Sequence, residues 1–552
     1  MRRRLLREGC ASPDVFAPWQ SLRATLLCLG TIVAACSPAG APQATDPAAD
    51  IPAADIPPTA VVPSPEQLAY QRMELIGFVH FSVNTFTDRE WGYGDESPET
   101  FAPSALDAEQ WAATAAEIGM KELILTVKHH DGFALWPSRY TEHSVKNSRW
   151  RGGGGDVVAE LVEAARRHDV KVGLYLSPWD RNHAGYGTPA YIDYYRNQLT
   201  ELLTGYGDIT EVWFDGANGG DGYYGGANEE RRIDRASYYD WPNSWALVRS
   251  LQPGTLIFSD AGPDIRWTGN ENGFAGVTNW STIDAEGIVV GAADSAYLNR
   301  GDPGGAQWVV PLCNTSIRPG WFYHEAEDDR LKSPQELIDV YYRSVGRNCV
   351  LLLNVPPDRR GRWHDNDVAV LREFRRILDE TFATDLAAGK PVAIVDQDPE
   401  AGRRRAAGET TGTASETTGT AGETAGIAGR WRGAHAKFAP ANITDADPES
   451  YWATDDDVTT ATLEIDLGAP TRFDRILLQE PIRFGQRVAE LAVRARIGGE
   501  WREIARATTI GYKRLLRVDP VTADRVRVVI ERVVDGPVAL SALGLFQASP
   551  AE

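Results

Sequence analysis

DVVAELVEAARRHDVKVGLYLS (residues 156–177) changes period halfway along. Over 156–169 the apolar residues recur at helical spacing; from 171 the chain becomes the short apolar run KVGLYLS. The same alternation repeats on both sides. Further strands are expected at LIGFVHFSV (75–83), ELILTVKHH (122–130), EVWFD (211–215), TLIFSD (255–260), GVTNW (276–280), WVVPLC (308–313) and NCVLLLNV (348–355). Helices are expected at 107–119 and 188–207 as well as 156–169. Strands alternating with helices imply a parallel sheet. Eight of them in roughly 310 residues suit a (β/α)₈-type barrel of the α/β class, with poorly signalled helices between strands five and seven. Active sites of such barrels lie at the C-terminal strand ends, where His80, His129, His130, Tyr175, Asp215, Asp260 and Asn354 collect.

The flanks read differently. The chain has 552 residues, 43% hydrophobic and 24% charged, with a net charge of −21 and no basic patch, which excludes a phosphate-tracking nucleic-acid binder. Residues 1–36 read as an export signal: arginines at 2, 3, 4, 7 and 23, then the apolar run ATLLCLGTIVAAC, whose end resembles a bacterial lipobox with Cys36 as the lipidated residue. The expected location is therefore the periplasm or surface of a bacterium, with membrane contact only through that anchor. Residues 37–65, rich in Ala, Pro and Asp, read as a disordered tether. The barrel domain is expected over 66–385. Residues 400–432 repeat ETTGTA and cannot bury a core. From 433 to 552 closely spaced strands predict an all-β sandwich. Only Cys313 and Cys349 lie in the folded part; a buried thiol is the default for Cys349, with a bond between the two left open.

The chemistry-bearing residues sit in a few motifs. His129 and His130 end the second strand, where alternation points neighbours to opposite faces, so no shared metal chelate is expected; at a strand end both can line the mouth and bind hydroxyls. Asp215 follows Trp213 and Phe214, and aromatics beside a carboxylate suit a sugar, whose apolar face packs on rings. A turn cap before Gly216 is the competing reading. Glu271, in the Gly/Asn-rich loop SDAGPDIRWTGNENGFAG (259–276), is the second candidate carboxylate, with Asp264 and Asp260 as rivals. There is no G-x-S-x-G elbow and no G-x-G-x-x-G strand-to-helix turn of the dinucleotide type. RGGGGD (151–156) lacks the P-loop Lys-Ser/Thr and reads as structural.

Taken together, GFVHFSVNTFTDREWG, LTVKHHDGFALWPS, KVGLYLSPWDRN, EVWFDGA, GPDIRWTGNENG, SIRPGWFYH and LLLNVPP resemble the α-L-fucosidases of glycoside hydrolase family 29, in the family's motif order from about residue 66 to 380. The forms VWFDGA and GPDIRW-GNE resemble the branch that cleaves α-1,3/1,4-fucosyl linkages. NITDADPESYWATDDDVTTATLEIDLG (442–468) and SALGLFQ (541–547) resemble a discoidin-like (F5/8 type C) module. The resemblance implies Asp215 as nucleophile and Glu271 as acid/base of a retaining enzyme without metal or organic cofactor. It implies substrate contacts from His80, Glu90, Trp91, His129, His130, Tyr175, Trp213, Arg266 and Trp321, and fucosylated glycans as partners. One departure is at Cys313 or Asn314, where the family commonly has an acidic residue; this touches recognition on the leaving-group side. A broad-specificity fucosidase and a non-catalytic fucose-binding surface protein are the alternatives.

Overall fold

In the computed structural model, residues 54–396, 432 and 435–552 are described. Eight parallel strands close into a barrel: β1 (Leu75–Val79), β2 (Glu122–Lys128), β3 (Lys171–Leu176), β4 (Glu211–Trp213), β5 (Leu256–Ser259), β6 (Ile265–Trp267), β7 (Val310–Ser316) and β8 (Val350–Asn354). Closure is made by β1, which pairs with β2 through Gly77↔Leu123 and with β8 through Gly77↔Leu353. The opening stretch behaves as its period requires. Asp156 caps helix α3 by accepting from the Ala159 amide at 2.9 Å, and Val157, Val158, Leu161, Val162 and Ala165 of that helix (Val157–Arg167) are buried. Helices α1 (Pro65–Gln71), α2 (Ala108–Glu117), α4 (Pro189–Gly205), α5 (Trp241–Leu251), α6 (Pro334–Arg343) and α7 (Asp365–Phe382) complete the main set.

The sixth strand is not the expected GVTNW. It is Ile265–Trp267, joined to β5 by only five residues, with Phe258 opposite Ile265. Parallel neighbours normally need a helical crossover, so the alternation of strands and helices has no signal for it. Residues 276–280 instead bind the C-terminal domain: the Asn279 amide donates to Thr509 Oγ1 at 3.0 Å and Thr278 pairs with Thr508 at 2.9 Å. That detour belongs to the long β6–β7 connection, which also holds Glu271.

Helix α1 covers the N-terminal end of the barrel, its start fixed by a Ser64–Gln67 capping box and its Tyr70 fully buried. Below, Glu122 of β2 and Glu211 of β4 flank Gly173 of β3, where a Cβ would stand 2.8 Å from the Glu122 carboxylate. Both are fully buried. Burial pushes the Glu122 carboxyl up to about 8, and burial together with the charge of Glu122 raises Glu211, so the pair is held protonated.

The all-β domain begins earlier than expected. Strand β9 (Val392–Asp396) precedes the low-complexity stretch and pairs antiparallel with β10 (Ala461–Gln479), Val392 opposite Ile465. Strands β11 (Val488–Ile497), β12 (Glu500–Ala507), β13 (Arg514–Val533) and β14 (Ala542–Phe546) complete its main sheet. Trp452 is fully buried in its core and Tyr451 is nearly so; neither is a surface platform.

The expectation of a disordered tether up to residue 65 also needs correction. Ile56 is buried against Phe438 and Tyr451, the Tyr451 hydroxyl donates to Asp55 at 2.7 Å, and the Thr59 amide donates to the Phe484 carbonyl at 2.9 Å. One buried apolar side chain and a set of backbone partners are enough to fix that segment on the β-domain. Domain and barrel belong to one compact unit, joined by Glu74, which accepts from Tyr341 and Tyr512 and pairs with Lys513. Cys313 and Cys349 are disulfide-bonded, with Cα atoms 6.2 Å apart. The expected anchor residue Cys36 lies outside the described residues, and no helix among these is long and apolar enough to cross a membrane.

Candidate active site

A cavity of about 310 Å³ opens at the C-terminal mouth of the barrel. Its inner wall is aromatic: Phe78 from β1, Tyr175 from β3 and Trp213 from β4, the last stacked on Phe258 with ring centres 4.0 Å apart. Asp215, two residues beyond β4, enters from this wall. One carboxylate oxygen accepts from the Tyr175 hydroxyl at 3.1 Å and the other from the Ala217 amide. Burial and the Asp215 charge raise the Tyr175 pKa well above that of an ordinary phenol, so Tyr175 stays a donor. Gly216 follows because nothing larger fits: a Cβ there would lie 2.7 Å from both oxygens of Asp260. Asp260 itself is buried, accepts from the Gly291 amide at 2.7 Å, and has its carboxyl raised to about 6, by burial first and then by the Asp215 charge.

Three histidines form a second wall, and their partners assign their protons. Asn354 donates through Nδ2 to Ser316 Oγ and the Trp321 carbonyl, so its Oδ1 accepts from His80 Nδ1 at 2.8 Å. Ser177 gives its hydroxyl proton to the Trp179 carbonyl and accepts from His130 Nδ1 at 2.7 Å. Both rings therefore keep an Nε2 lone pair. His129 Nδ1 is buried without a partner among the described residues; a bare lone pair there costs less than a stranded N–H, which puts the proton on Nε2. Burial lowers all three, His80 to about 3, His130 to about 4 and His129 well below the usual imidazole range. Neutral imidazoles offering two acceptors and one donor suit hydroxyl groups.

Glu271 stands exposed on the rim, in the loop after β6. Asn270 braces that loop through the Thr268 and Phe274 carbonyls, and Trp267 Nε1 donates to the Asn270 carbonyl at 3.0 Å and to Asn314 Oδ1 at 2.9 Å. The Glu271 carboxyl is raised, first by loss of solvent in the mouth and next by the Asp215 charge, against a lowering hydrogen bond from Trp321. Opposite, Glu90 accepts from the backbone amides of Trp321 at 2.8 Å and Phe322 at 3.1 Å and lies 2.7 Å from His324 Nε2, clamping the Trp321 loop over the cavity. Trp91, half exposed, meets His130 and Trp179 edge-on at the rim.

The cavity thus brings together Asp215, Glu271, His80, Glu90, Trp91, His129, His130, Tyr175, Trp213 and Trp321. Arg266 is not among them. Its guanidinium is fully buried and donates to the carbonyls of Leu298, Val309 and Trp280 and to Asn279 Oδ1; it pins the β6–β7 connection, and its expected substrate contact is withdrawn. Asp264 is bound to Arg249 and the Ile257 amide, outside the cavity. Phe78 and Ala217, which no sequence motif marks as contacts, also line it, as does Asn314, the position where the chain departs from the family pattern. Among the described residues no group of three or more His, Cys, Asp or Glu side chains could hold a metal ion.

A parallel barrel with two carboxylates, neutral histidines and tryptophans at its mouth is the architecture of a glycoside hydrolase. The alpha-L-fucosidase family model matches residues 64–380, and the F5/8 type C domain model matches 413–542. The chain belongs to the alpha-L-fucosidase family. It is 42% identical to putative alpha-L-fucosidase 1 of Oryza sativa subsp. japonica over 88% of this chain and 85% of that one, and 40% identical to alpha-L-fucosidase 1 of Arabidopsis thaliana over 88% and 87%. A solved Ruminococcus gnavus GH29 fucosidase in complex with fucose superposes with a TM-score of 0.77 at 32% identity, covering 90% of this chain and 97% of that one. The bacterial, lipid-anchored location expected from residues 1–36 is withdrawn: relatives at 42% and 40% identity are plant proteins.

Proposed function

We propose that this glycoside hydrolase removes terminal α-1,3/1,4-linked L-fucose from branched glycans with retention of configuration. The observation that carries the reading is the pairing in one cavity of a carboxylate fixed by two donors, Asp215, with a rim carboxyl of raised pKa, Glu271. An Asp215 oxygen attacks the anomeric carbon while Glu271 gives its proton to the departing oxygen; in the second half Glu271, now ionised, takes a proton from water that releases the sugar. Environment separates the roles, since the negative charge of one carboxylate favours the protonated form of the other. His80 and His130 accept from sugar hydroxyls, His129 donates to one, and Trp213, Trp321 and Trp91 pack the apolar ring face. Such an enzyme requires carboxylates about 5–5.5 Å apart. The R. gnavus complex, whose bound ligand is fucose, supports fucose as the sugar. The linkage rests on the VWFDGA and GPDIRW-GNE forms.

The test is a panel of Lewis-type α-1,3/1,4 trisaccharides, α-1,2-fucosyllactose and an aryl fucoside, with NMR of the first-formed anomer. Preference for the branched substrates and initial release of α-L-fucose are expected. Preference for the aryl or α-1,2 substrate would move the protein to a broad-specificity reading, and initial β-L-fucose would remove retention.

A further inference from the structure

A second cavity, of about 480 Å³, adjoins the first across Glu271 and Trp321, which line both. Most of its charged groups are already engaged. Arg318 is bound to Asp367 and Asp328, Asp339 to Arg343 and Arg517, and Glu336 closes the capping box of α6 with Ser333. Two groups keep donors free. Lys332 Nζ donates to the Ser316 carbonyl and forms no ion pair among the described residues, and an ammonium carries three donors. The side-chain amide of Asn272, next to Glu271, makes no hydrogen bond among the described residues and is exposed.

We propose that this second cavity receives the departing part of the substrate, a hydroxyl-rich oligosaccharide, and that Lys332 and Asn272 are the specificity residues that hold it. The inference rests on the reading of Glu271 as the acid. A group that protonates the scissile oxygen must stand between the sugar that is retained and the sugar that leaves, and Glu271 stands between these two cavities. As the C–O bond breaks, its electron pair stays on the glycosidic oxygen, which takes the Glu271 proton, while an Asp215 oxygen bonds to the anomeric carbon. The leaving sugar departs as a neutral alcohol into a cavity of a size usual for ligand sites, where free N–H groups meet its hydroxyl and ring oxygens.

The experiment compares Lys332→Met and Asn272→Ala with wild type on two substrates: the fucosylated trisaccharide that wild type cleaves fastest, and α-L-fucosyl fluoride, whose single-atom leaving group cannot reach the second cavity. Lys332→Met is expected to lower kcat/KM for the trisaccharide by about 10- to 100-fold, mainly through KM, and Asn272→Ala by about 3- to 10-fold. Fluoride turnover stays within about twofold and certifies the fold of the same preparations. Equal losses on both substrates, or no loss on the trisaccharide, would overturn the proposal. Wild-type protein that failed to turn over the fluoride would instead overturn the reading of Asp215 and Glu271 beneath it.

Discussion

Replacing Gly216 by alanine tests how tightly the reactive carboxylate is aimed. The added Cβ would stand 2.7 Å from Asp260 Oδ1 and Oδ2 and 3.0 Å from its Cγ. Ordinary contact begins near 3.4 Å, so one partner must retreat by about 0.7 Å. Asp260 has little room, being buried and tied to the Gly291 amide at 2.7 Å, and Gly291 in turn sits so close to the Gly216 carbonyl that a Cβ on it would come within 2.3 Å. The backbone after Asp215 must therefore give. Overpacking of this kind costs about 1–3 kcal/mol of stability, and a displacement approaching 1 Å at the reacting atom costs roughly 100-fold in rate. Gly216→Ala should lose about 10- to 100-fold in kcat on fucosyl fluoride while still unfolding cooperatively. Removing the Asp260 carboxylate frees the space, so Gly216→Ala/Asp260→Ala should be better than the two single losses multiplied together, with a coupling of at least about 1 kcal/mol. Activity of Gly216→Ala within threefold of wild type, or strictly additive losses in the cycle, would refute the reasoning.

Two further outcomes follow from the same geometry. Glu271 acts protonated, so activity is full below its raised pKa and falls as pH rises through it; the alkaline limb of kcat/KM should lie above the ordinary glutamate range, and Glu271→Gln should abolish that limb and spare fucosyl fluoride far more than an oligosaccharide. An unchanged alkaline limb in Glu271→Gln would contradict the assignment. At the barrel floor, Glu122 holds more proton folded than unfolded between the ordinary glutamate value of 4.5 and about 8, so it lowers stability progressively as pH rises through that window. Urea midpoints of Glu122→Gln and wild type should converge near pH 5 and separate by pH 8, with the variant the more stable; a gap independent of pH would speak against a buried, protonated pair.

Legibility in the sequence differed from element to element for physical reasons. Seven barrel strands announced themselves because each is a continuous apolar run, buried on both faces and preceded or followed by a recognisable helix or turn. Ile265–Trp267 did not: three residues, an arginine at the centre and a five-residue connection leave no period to detect. The resemblance implies Arg266 as a substrate ligand, yet its five donors are taken by the carbonyls of Leu298, Ser281, Val309 and Trp280 and by Asn279 Oδ1, contacts that come from distant loops and have no local signature. The start of the β-domain was missed because β9 precedes the low-complexity stretch, and composition draws its boundary at the change in composition. Asp215 was balanced between turn cap and catalyst, and the structure shows why both readings fitted: the same carboxylate accepts from the Ala217 amide two residues on and from Tyr175 across the cavity. The need for glycine after it has its physical cause in the Asp260 carboxylate, 44 residues from Gly216 and invisible to any local pattern.

The central claim is that Asp215 forms the covalent bond to the sugar. It is tested by incubating the enzyme with a 2-deoxy-2-fluoro-fucosyl fluoride, whose leaving group speeds the first step while the ring fluorine slows both, followed by intact mass and peptide mapping. The account predicts one adduct per chain, on Asp215, absent in Asp215→Asn. An adduct on Asp260 or Glu271, or a labelled Asp215→Asn variant, would contradict it.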